Sequence, residues 1–327
     1  MAVSVIVSNF NGAKYLPRLL ETLKAQVDVT LEVIIVDRNS IDDSPKILAQ
    51  HPDVKVVQEP PESGLVAGYA AGVPYARHEH LFFCNEDMWF DPLCLHRLEE
   101  ALKSRDQVWA VDPWQWTYDG KEWIHGGTRF VTTHHLRPMV PHPWRGYEFT
   151  VPLSAGDFIP FACPGAMMVK KTHYQKIGGW DTSFFLDQED LDLFIRSWQS
   201  GWECVIVPEA KVYHAVGASN SKSIGKGKVK VSRRRSTANA ANFLILSIKY
   251  FPPGWILFHG FIYSTYALFN LVRLRFDDVV CQVLGIREFI ARFPTAWRFR
   301  RSNSKMIGSH PGHKFFEQDR FQKKPGI

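Results

Sequence analysis

Two aspartates of this 327-residue chain follow buried apolar runs, where a carboxylate can reach a bound ligand. Asp37 ends one run, and Asp87 follows another by a few residues. A carboxylate at the end of a strand can accept a hydrogen bond from a nucleobase or ribose. A second carboxylate can hold a hard divalent cation, which needs only one or two protein carboxylates when phosphates complete its coordination. The pair predicts a site for a metal-bound nucleoside diphosphate.

A second concentration of charge lies at residues 187–192, where four of six residues are acidic. Like charges at this density repel one another unless something uses them. Asp187, Gln188 or Glu189 can cap the following helix, whose N-terminus favours negative charge. A spare carboxylate is then a candidate general base that deprotonates an acceptor hydroxyl.

His214 lies late in this part of the chain, in the run Val212-Tyr213-His214. A single histidine is most often structural. With a metal site predicted, its neutral imidazole can also serve as a ligand. Both interpretations are open on the residues alone.

Apolar runs alternate with helical patterns through the first hundred residues. Strands are predicted at 3–7, 31–36, 54–57 and 80–84, and helices at 13–26, 40–50, 64–77 and 91–104. This alternation predicts an α/β fold with a parallel sheet, helices on both faces and right-handed crossovers. Ligands of such sheets bind beyond the carboxyl ends of the strands. That edge would carry three polar clusters, at residues 8–12, 37–40 and 85–87.

The middle of the chain is less regular. Residues 108–160, rich in Trp, Pro, His and Gly, are interpreted as strands and long loops over the site. Strands are then predicted at 166–169 and 204–207, and helices at 171–177 and 190–200.

The C-terminal third is strongly basic, although the whole chain carries only +6. Residues 1–221 contain 28 acids against 19 Lys and Arg, whereas residues 222–327 contain 5 acids against 20. A mobile basic loop is predicted at 219–235, followed by an apolar stretch at 238–274 that Pro252-Pro253 must interrupt. Residues 254–272 are long enough for a marginal membrane span. The alternatives are helices lying on an anionic membrane or a hairpin packed on the core. No nucleic-acid-binding motif is present, so no nucleic acid partner is expected.

The cysteines and the N-terminus bear on the compartment. The five cysteines form no C-x-x-C pair, which disfavours a zinc site, and their odd number predicts buried reduced thiols. The first apolar run is too short for a signal peptide. The chain is therefore expected in the cytoplasm, with peripheral contact at the inner face of the cell membrane.

The order and spacing of these segments resemble the inverting family 2 glycosyltransferases, with closest similarity to rhamnosyltransferase-like members that build surface polysaccharides. The resemblance covers about residues 2–250. It is carried by eight segments: VIVSNFNG (5–12), IVDRNSIDDS (35–44), GLVAGYAAG (64–72), NED (85–87), PGA (164–166), GGWD (178–181), EDLD (189–192) and VYH (212–214).

The resemblance implies the GT-A fold, a Rossmann-like α/β arrangement with a mostly parallel central sheet and helices on both faces, followed by a C-terminal helical extension. It divides the glycosyltransferase domain 1–220 into a nucleotide-sugar half, 1–105, and an acceptor half, 106–220. Residues 221–327 would form the basic, helical, membrane-associated region.

The resemblance also implies roles for individual residues. Asp87 and His214 would hold Mn²⁺ or Mg²⁺, and Asp190, with Glu189 as the alternative, would be the catalytic base. The residues assigned to the nucleotide sugar are Ser8, Asn9, Asn11, Asp37, Asn39, Ser40, Gly64 and Glu86. Those assigned to the acceptor side are Gly165, Trp180 and Asp181.

The reaction implied is a single in-line displacement, with inversion, from a nucleoside-diphosphate sugar to a glycan or lipid-linked acceptor in surface polysaccharide synthesis. Arg38, Tyr69 and Glu86 depart from the family pattern and leave the base and the sugar open. One alternative is a catalytically impaired relative that binds a nucleotide or glycan as a scaffold. A nucleotidyltransferase is disfavoured because residues 9–12 lack a glycine-rich basic phosphate loop.

Overall fold

The computed structural model describes residues 1–60, 63–127, 129–130, 147–148, 153–215, 233–251 and 253–303. The first hundred residues alternate strands and helices, as predicted. The strands are β1 (Ala2–Asn9), β2 (Thr30–Asp37), β3 (Lys55–Gln58), β4 (His80–Asn85) and β5 (Met88–Phe90). The helices are α1 (Leu16–Lys24), α2 (Ser44–Ala49), α3 (Gly64–Gly72) and α4 (Cys94–Lys103).

The rest of the chain adds further strands and a helical C-terminal part. The strands are β6 (Val108–Thr117), β7 (Trp123–His125), β8 (Arg129–Phe130), β9 (Tyr147–Glu148), β10 (Phe158–Ile159), β11 (Ala166–Lys170) and β12 (Glu203–His214). The helices are α5 (Lys171–Lys176), α6 (Glu189–Gln199), α7 (Arg233–Tyr250), α8 (Pro253–Val272) and α9 (Phe276–Ser302).

The main sheet has the strand order β10-β12-β6-β11-β4-β1-β2-β3. Its β4-β1-β2-β3 side is parallel, while β11 runs antiparallel between β4 and β6. In register, Asn9 of β1 lies opposite Asp37 of β2, and Ser8 lies opposite Asn85 of β4. The three polar clusters predicted at the strand ends therefore meet at one sheet edge.

Burial on both faces of β1 explains why this sheet is covered by helices. Ile6 joins one apolar core, and its neighbours Val5 and Val7 join the other. Alternating side chains of a strand point to opposite faces, so each face needs a cover. The buried leucines of α1 supply part of one cover. Each fully buried side chain of this size contributes about 1.5–3 kcal/mol.

Two helices predicted in the first half are too long. The predicted helix 40–50 begins only at Ser44, because Asp42 accepts hydrogen bonds from the amides of Ala13 (2.9 Å) and Ser44 (2.9 Å). The predicted helix 64–77 ends at Gly72 and continues only as a 3-10 turn, Val73–Tyr75. The proline within this turn lacks a backbone N–H donor, so the α-helix does not continue through it.

The interpretation of residues 108–160 was wrong for its first part. Strand β6 lies inside the main sheet between β11 and β12, not in loops over the site. Strand β12 does not end at Val207 either. It continues past an irregularity between Val207 and Lys211 and carries His214 itself.

The C-terminal helices do not form a separate hydrophobic unit. Ile245 and Phe251, from α7 and the residue after it, belong to the same core as Ile6. Helix α9 packs closely on α7 at Gly285, where an added Cβ would lie 2.7 Å from the Cβ of Ala240. The predicted break at Pro252-Pro253 falls between α7 and α8.

The predicted basic loop 219–235 lies mostly outside the described residues. Its last three residues, Arg233, Arg234 and Arg235, are helical and begin α7. Within the described ranges, no helix combines the length and apolar character needed to cross a membrane.

Candidate active site

The donor-side cluster is built around Asp37, which is almost fully buried. Its carboxylate accepts hydrogen bonds from Asn9 Nδ2 (2.7 Å), Ser40 Oγ (2.6 Å) and Ser40 N (3.1 Å). Ser40 Oγ also accepts from the amide of Asn11 (2.9 Å). The loops after β1 and β2 are thereby locked together, and Asn9, Asn11, Asp37 and Ser40 meet as predicted.

The turns of this cluster depend on two asparagines in the left-handed conformation. Asn11 has a φ of 56° and Asn39 a φ of 54°. Asparagine tolerates this region better than other non-glycine residues. Asn11 Oδ1 also accepts from the amide of Ile41 at 2.9 Å. Asn39 therefore has a structural role here, and its contact with a nucleotide stays a prediction.

Glycines allow the backbone to approach this cluster closely. A Cβ on Gly68 would lie 2.3 Å from Ser8 Oγ, and one on Gly12 would lie 2.7 Å from Glu86 Cγ. Gly64, with a φ of +82°, instead lies against Phe185, whose carbonyl oxygen would be 2.5 Å from its Cβ. The structure therefore places Gly64 between the donor side and the acidic segment.

Arg38 and Glu86, two departures from the family pattern, influence each other electrostatically. Burial, with the nearby Asp87 charge, raises the pKa of Glu86 to about 8. Burial lowers the pKa of Arg38, and Glu86 opposes that shift. Arg38 Nε has no hydrogen-bond partner among the described residues. In the sequence these are two separate departures, but in the structure each of the two groups shifts the pKa of the other beside Asp37.

Asp87 and His214, the predicted metal ligands, are brought together by the pairing of β5 with β12. Asp87 Oδ1 lies 3.2 Å from His214 Nε2, and both side chains are largely buried. His214 Nδ1 lies 3.2 Å from Gln115 Oε1, which can only accept, so Nδ1 carries the proton. A ring that donates from Nδ1 in this way leaves Nε2 facing the Asp87 carboxylate.

These two groups fit a divalent cation. The buried Asp87 Oδ1 has no hydrogen-bond partner among the described residues, although His214 is near it. Two acceptors at this distance are stabilised by a positive charge shared between them, and Gln115 orients the ring as an outer-shell partner does. The described residues contain no group of three His, Cys, Asp or Glu that could hold a metal ion by itself. Phosphate oxygens and water would therefore complete the coordination.

The acidic segment is held in place by α7. Asp187 and Gln188 are both left-handed, with φ values of 69° and 70°. Arg235 donates to both carboxylate oxygens of Asp187 (2.6 and 2.7 Å), and Asn242 Nδ2 donates to its carbonyl oxygen (2.7 Å). Left-handed residues of this kind cost about 1–3 kcal/mol each and persist only where neighbours fix them. Helix α7 supplies those contacts.

The predicted side-chain cap of the following helix is wrong for α6. Gln188 occupies the capping position without a side-chain hydrogen bond to the helix, and its amide instead donates to Asn239 Oδ1 at 2.8 Å. The Asp187 carboxylate is engaged by Arg235. Favourable interaction with the helix N-terminus therefore comes from the charges in the first turn.

Glu189 and Asp190, the candidate bases, line one cavity of about 210 Å³ together with Asn85 and Gly165. Burial, and then the neighbouring Asp190, raises the pKa of Glu189 well above its usual value. Burial also raises the pKa of Asp190, to about 7. A base works best with a pKa near the operating pH, which favours Asp190.

Asp192, the last acid of the segment, is not part of this cavity. It is fully buried and bound by Arg196 Nη2 (2.6 Å), Tyr250 Oη (2.7 Å) and Lys249 Nζ. These partners outweigh burial and lower its pKa to about 2. Lys249 also pairs with Asp181 at 3.0 Å. Asp192 therefore joins α6 to α7, and an acceptor contact of Asp181 stays a prediction.

Aromatic side chains separate this ion network from the end of β4. Trp180 is buried and stacks on Tyr69, with ring centroids 5.9 Å apart. Tyr69 Oη donates to Asn85 Oδ1 at 2.5 Å. The acceptor role of Trp180 stays a prediction, and Tyr69 gains a role in orienting Asn85 that sequence reasoning missed.

Several supporting residues carried no signal in the sequence. Gln115 lies in the stretch 108–160, which was interpreted as strands and long loops without bounds for any strand, and the partners of the acidic segment lie about 50 residues further along. The latter are Arg235, Asn239 and Asn242.

Comparison with known proteins follows this geometry. The family model described as glycosyl transferase family 2 matches residues 4–178. The chain is 24% identical over 236 residues to an N-acetylglucosaminyl-diphospho-decaprenol L-rhamnosyltransferase of Mycobacterium tuberculosis, covering 64% of this chain and 75% of that protein. It is 33% identical over 113 residues to an uncharacterized glycosyltransferase of Nostoc sp., covering 33% and 35%.

Solved structures show the same fold at low identity. Mannosyltransferase PcManGT from Pyrobaculum calidifontis, in complex with GDP-Man and Mn²⁺, aligns with a TM-score of 0.51 and 15% identity over 96% of this chain and 82% of its own. GalNAc-T7 with UDP, GalNAc and Mn²⁺ aligns with a TM-score of 0.54 and 13% identity, over 77% of this chain and 48% of its own. Staphylococcus aureus TarS aligns with a TM-score of 0.51 and 16% identity, over 76% of this chain and 40% of its own. The chain therefore spans less than half the length of GalNAc-T7 and of TarS. The fold is GT-A, and because the family model spans more than half of its residues, this chain belongs to glycosyl transferase family 2.

Proposed function

We propose that the chain transfers a sugar from a nucleoside-diphosphate sugar to a hydroxyl of a lipid-linked or glycan acceptor. The observation that carries this proposal is the shared cavity. Asn85, at the end of a donor-side strand, and Asp190, a carboxylate with a pKa of about 7, line the same space. A transferase needs such an arrangement because donor and acceptor must meet beside a base.

The donor half would bind the nucleotide and its metal. The Asp37 cluster offers a preorganised polar surface to the base and ribose, beside Arg38 and Glu86. Asp87 and His214 would hold Mn²⁺ or Mg²⁺, which neutralises the departing nucleoside diphosphate. The Mn²⁺ bound in two structural neighbours, GalNAc-T7 and PcManGT, supports this assignment.

The acceptor half would supply the proton transfer. Asp190 would take the proton of the acceptor hydroxyl. The hydroxyl oxygen of the acceptor would attack the anomeric carbon from the side opposite the leaving diphosphate, in one step with inversion. Burial and the neighbouring Asp190 raise the pKa of Glu189 well above its usual value, which favours its protonated form and leaves Asp190 as the proposed base. The mycobacterial relative is an N-acetylglucosaminyl-diphospho-decaprenol L-rhamnosyltransferase, which favours a lipid-linked acceptor and transfer of a deoxysugar. A role in surface polysaccharide synthesis at the cytoplasmic face of the membrane belongs to the same proposal.

The test compares Asp190→Asn with Glu189→Gln. A thermal-shift screen of nucleotide sugars with Mn²⁺ first identifies the donor. We expect Asp190→Asn to lower transfer by about 10²- to 10⁴-fold while donor binding survives, because only the base is lost. Glu189→Gln copies a protonated glutamate and should retain most of the activity.

Near-normal turnover by Asp190→Asn, with loss in Glu189→Gln, would reverse the base assignment. If the native chain turns over none of the nucleotide sugars with Mn²⁺ but still binds one, the catalytically impaired scaffold replaces the proposed transferase.

A further inference from the structure

A second cavity, of about 450 Å³, lies between α7 and α9 and carries three guanidinium groups. Arg233, Arg234 and Arg287 line it, with Glu288 as its only acid among the described lining residues. Three positive charges and one negative charge line the cavity, and with Asp277, which pairs with Arg233, the local net charge is +1. Arg233 also pairs with the exposed Asp277 at 2.6 Å, and Arg234 lies 3.8 Å from the ring centroid of Phe185. The transfer reaction proposed above uses none of these arginines.

The cavity opens among exposed apolar side chains. Leu284 lines it, and Val283 and Ile290 of the same helix are 60% and 64% exposed. Exposed apolar side chains continue on α8, which packs on α9, where Leu257 and Val272 are 76% and 74% exposed. Exposed apolar side chains next to arginines are unfavourable in water and complement a molecule with an anionic head and a hydrocarbon chain.

The cavity also lies close to the candidate base. A smaller hollow shares Arg234 and Glu288 with it and is lined by Phe185. The carbonyl oxygen of Phe185 accepts from the amide of Leu65 at 3.2 Å, and Leu65 lines the cavity of Asp190. Arg235, the next residue after Arg234, lines that cavity as well. The first turn of α7 therefore runs from the arginine cavity to the base.

We propose that the arginine cavity binds the phosphate or diphosphate of a lipid-linked acceptor, whose hydrocarbon chain lies along the apolar side chains of α8 and α9. Guanidinium groups bind phosphate oxygens through paired donors, and the positive excess of the cavity suits an anionic phosphate group. This inference rests on the proposed function and assigns its acceptor site. The nearness of the base favours the acceptor over bulk anionic phospholipid.

The test measures binding of the full chain to vesicles by co-sedimentation. The vesicles contain phosphatidylcholine alone, with phosphatidylglycerol, or with a polyprenyl diphosphate at matched surface charge. We expect the polyprenyl diphosphate to give the tightest binding, and Arg287→Gln to weaken that binding about tenfold, the value of one charge-assisted hydrogen bond. Arg287 is exposed, and thermal unfolding should confirm that the variant is folded.

The matched control is Arg298→Gln, which removes the same charge from α9. Arg298 lies 11 residues further, about 16 Å along the helix, outside the cavity. We expect it to weaken binding to both anionic vesicles equally and by no more than about twofold. Equal losses for the two variants, or no gain of polyprenyl diphosphate over phosphatidylglycerol, would overturn the assignment.

Donor binding separates this failure from failure of the proposed function. Both variants should retain the thermal shift that the nucleotide sugar and Mn²⁺ produce, because neither residue lies on the donor side. If donor binding and Asp190-dependent transfer hold while Arg287→Gln leaves lipid diphosphate binding unchanged, only the acceptor assignment fails.

Discussion

The two halves of the candidate active site are built in contrasting ways. On the donor side, the Asp37 carboxylate accepts three hydrogen bonds from residues of two adjacent strand-end loops. On the acceptor side, Asp190 accepts from the amide of Leu191, and burial raises its pKa to about 7. The donor loops are fixed by neighbours within 31 residues, whereas the acidic segment depends on α7, some 50 residues away. The Asp37 carboxylate is therefore held in place by hydrogen bonds, whereas the Asp190 carboxylate is kept ready to take a proton.

The same contrast recurs within the acidic segment itself. Asp190 and Asp192 are two positions apart on α6, so they lie about 200° apart around the helix axis. One therefore reaches the cavity, and the other reaches Arg196 and Lys249 in the core. Their pKa values move in opposite directions for this reason, to about 7 and about 2.

The largest expected effect comes from Asp192→Asn. This change leaves Lys249 and Arg196 buried without their full counter-charge, and breaking a buried pair costs about 3–5 kcal/mol. Asp190→Asn should leave the free energy of unfolding unchanged or slightly higher, because it removes a carboxylate whose charged form is disfavoured by burial. Denaturant unfolding at pH 7 measures both.

The two aspartates should affect the pH dependence of unfolding in opposite directions. The lowered pKa of Asp192 means that its stabilisation is present above about pH 4 and is lost as the pH falls through about 2. The raised pKa of Asp190 means that the stabilisation by its protonated form is present below about pH 4 and is lost as the pH rises through about 7. Equal destabilisation by the two asparagine variants at pH 7 would contradict the contrast.

The sequence predicts the residues of the donor side better than the contacts that hold the acidic segment on the acceptor side. Apolar runs followed by Asn, Asp and Ser place the strand-end loops, and the family pattern then picks out Asp87 and His214. The contacts of Arg235 and Asn242 join residues about 50 positions apart and leave no local pattern. The position of strand β6 within 108–160 was not predicted, because Asp112 interrupts its apolar run and only the fold shows that His125 partners Asp112 at 2.7 Å.

The next largest effect concerns the pH dependence of transfer. A base with a pKa of about 7 must be deprotonated to act, so kcat/KM should rise about tenfold per pH unit below pH 7 and level off above it. A pH profile with the identified donor and Mn²⁺ measures this. Glu189→Gln should retain the rising limb. A flat profile between about pH 5.5 and 7.5 would remove Asp190 from the base role.

The smallest of the three effects tests whether α7 positions the base. Asn242→Ala removes the donors to the carbonyl oxygens of Leu186 (3.0 Å) and Asp187 (2.7 Å) and the acceptor for Arg292. We expect kcat to fall roughly tenfold and the rising limb of the pH profile to move, with the donor KM unchanged. The donor loops do not touch this helix residue.

Asn239→Ala is the matched control, because Asn239 lies one turn earlier on α7 and accepts from the side chain of Gln188 at 2.8 Å. It leaves the backbone of the segment held by Asn242 and the Asp187 carboxylate held by Arg235, so kcat and the pH profile should change little. If Asn242→Ala only lowers the unfolding temperature, with an unaltered pH profile, then α7 stabilises the fold without setting the environment of Asp190. In that case the long-range support of the acidic segment is structural, and the raised pKa of Asp190 arises within its own loop and cavity.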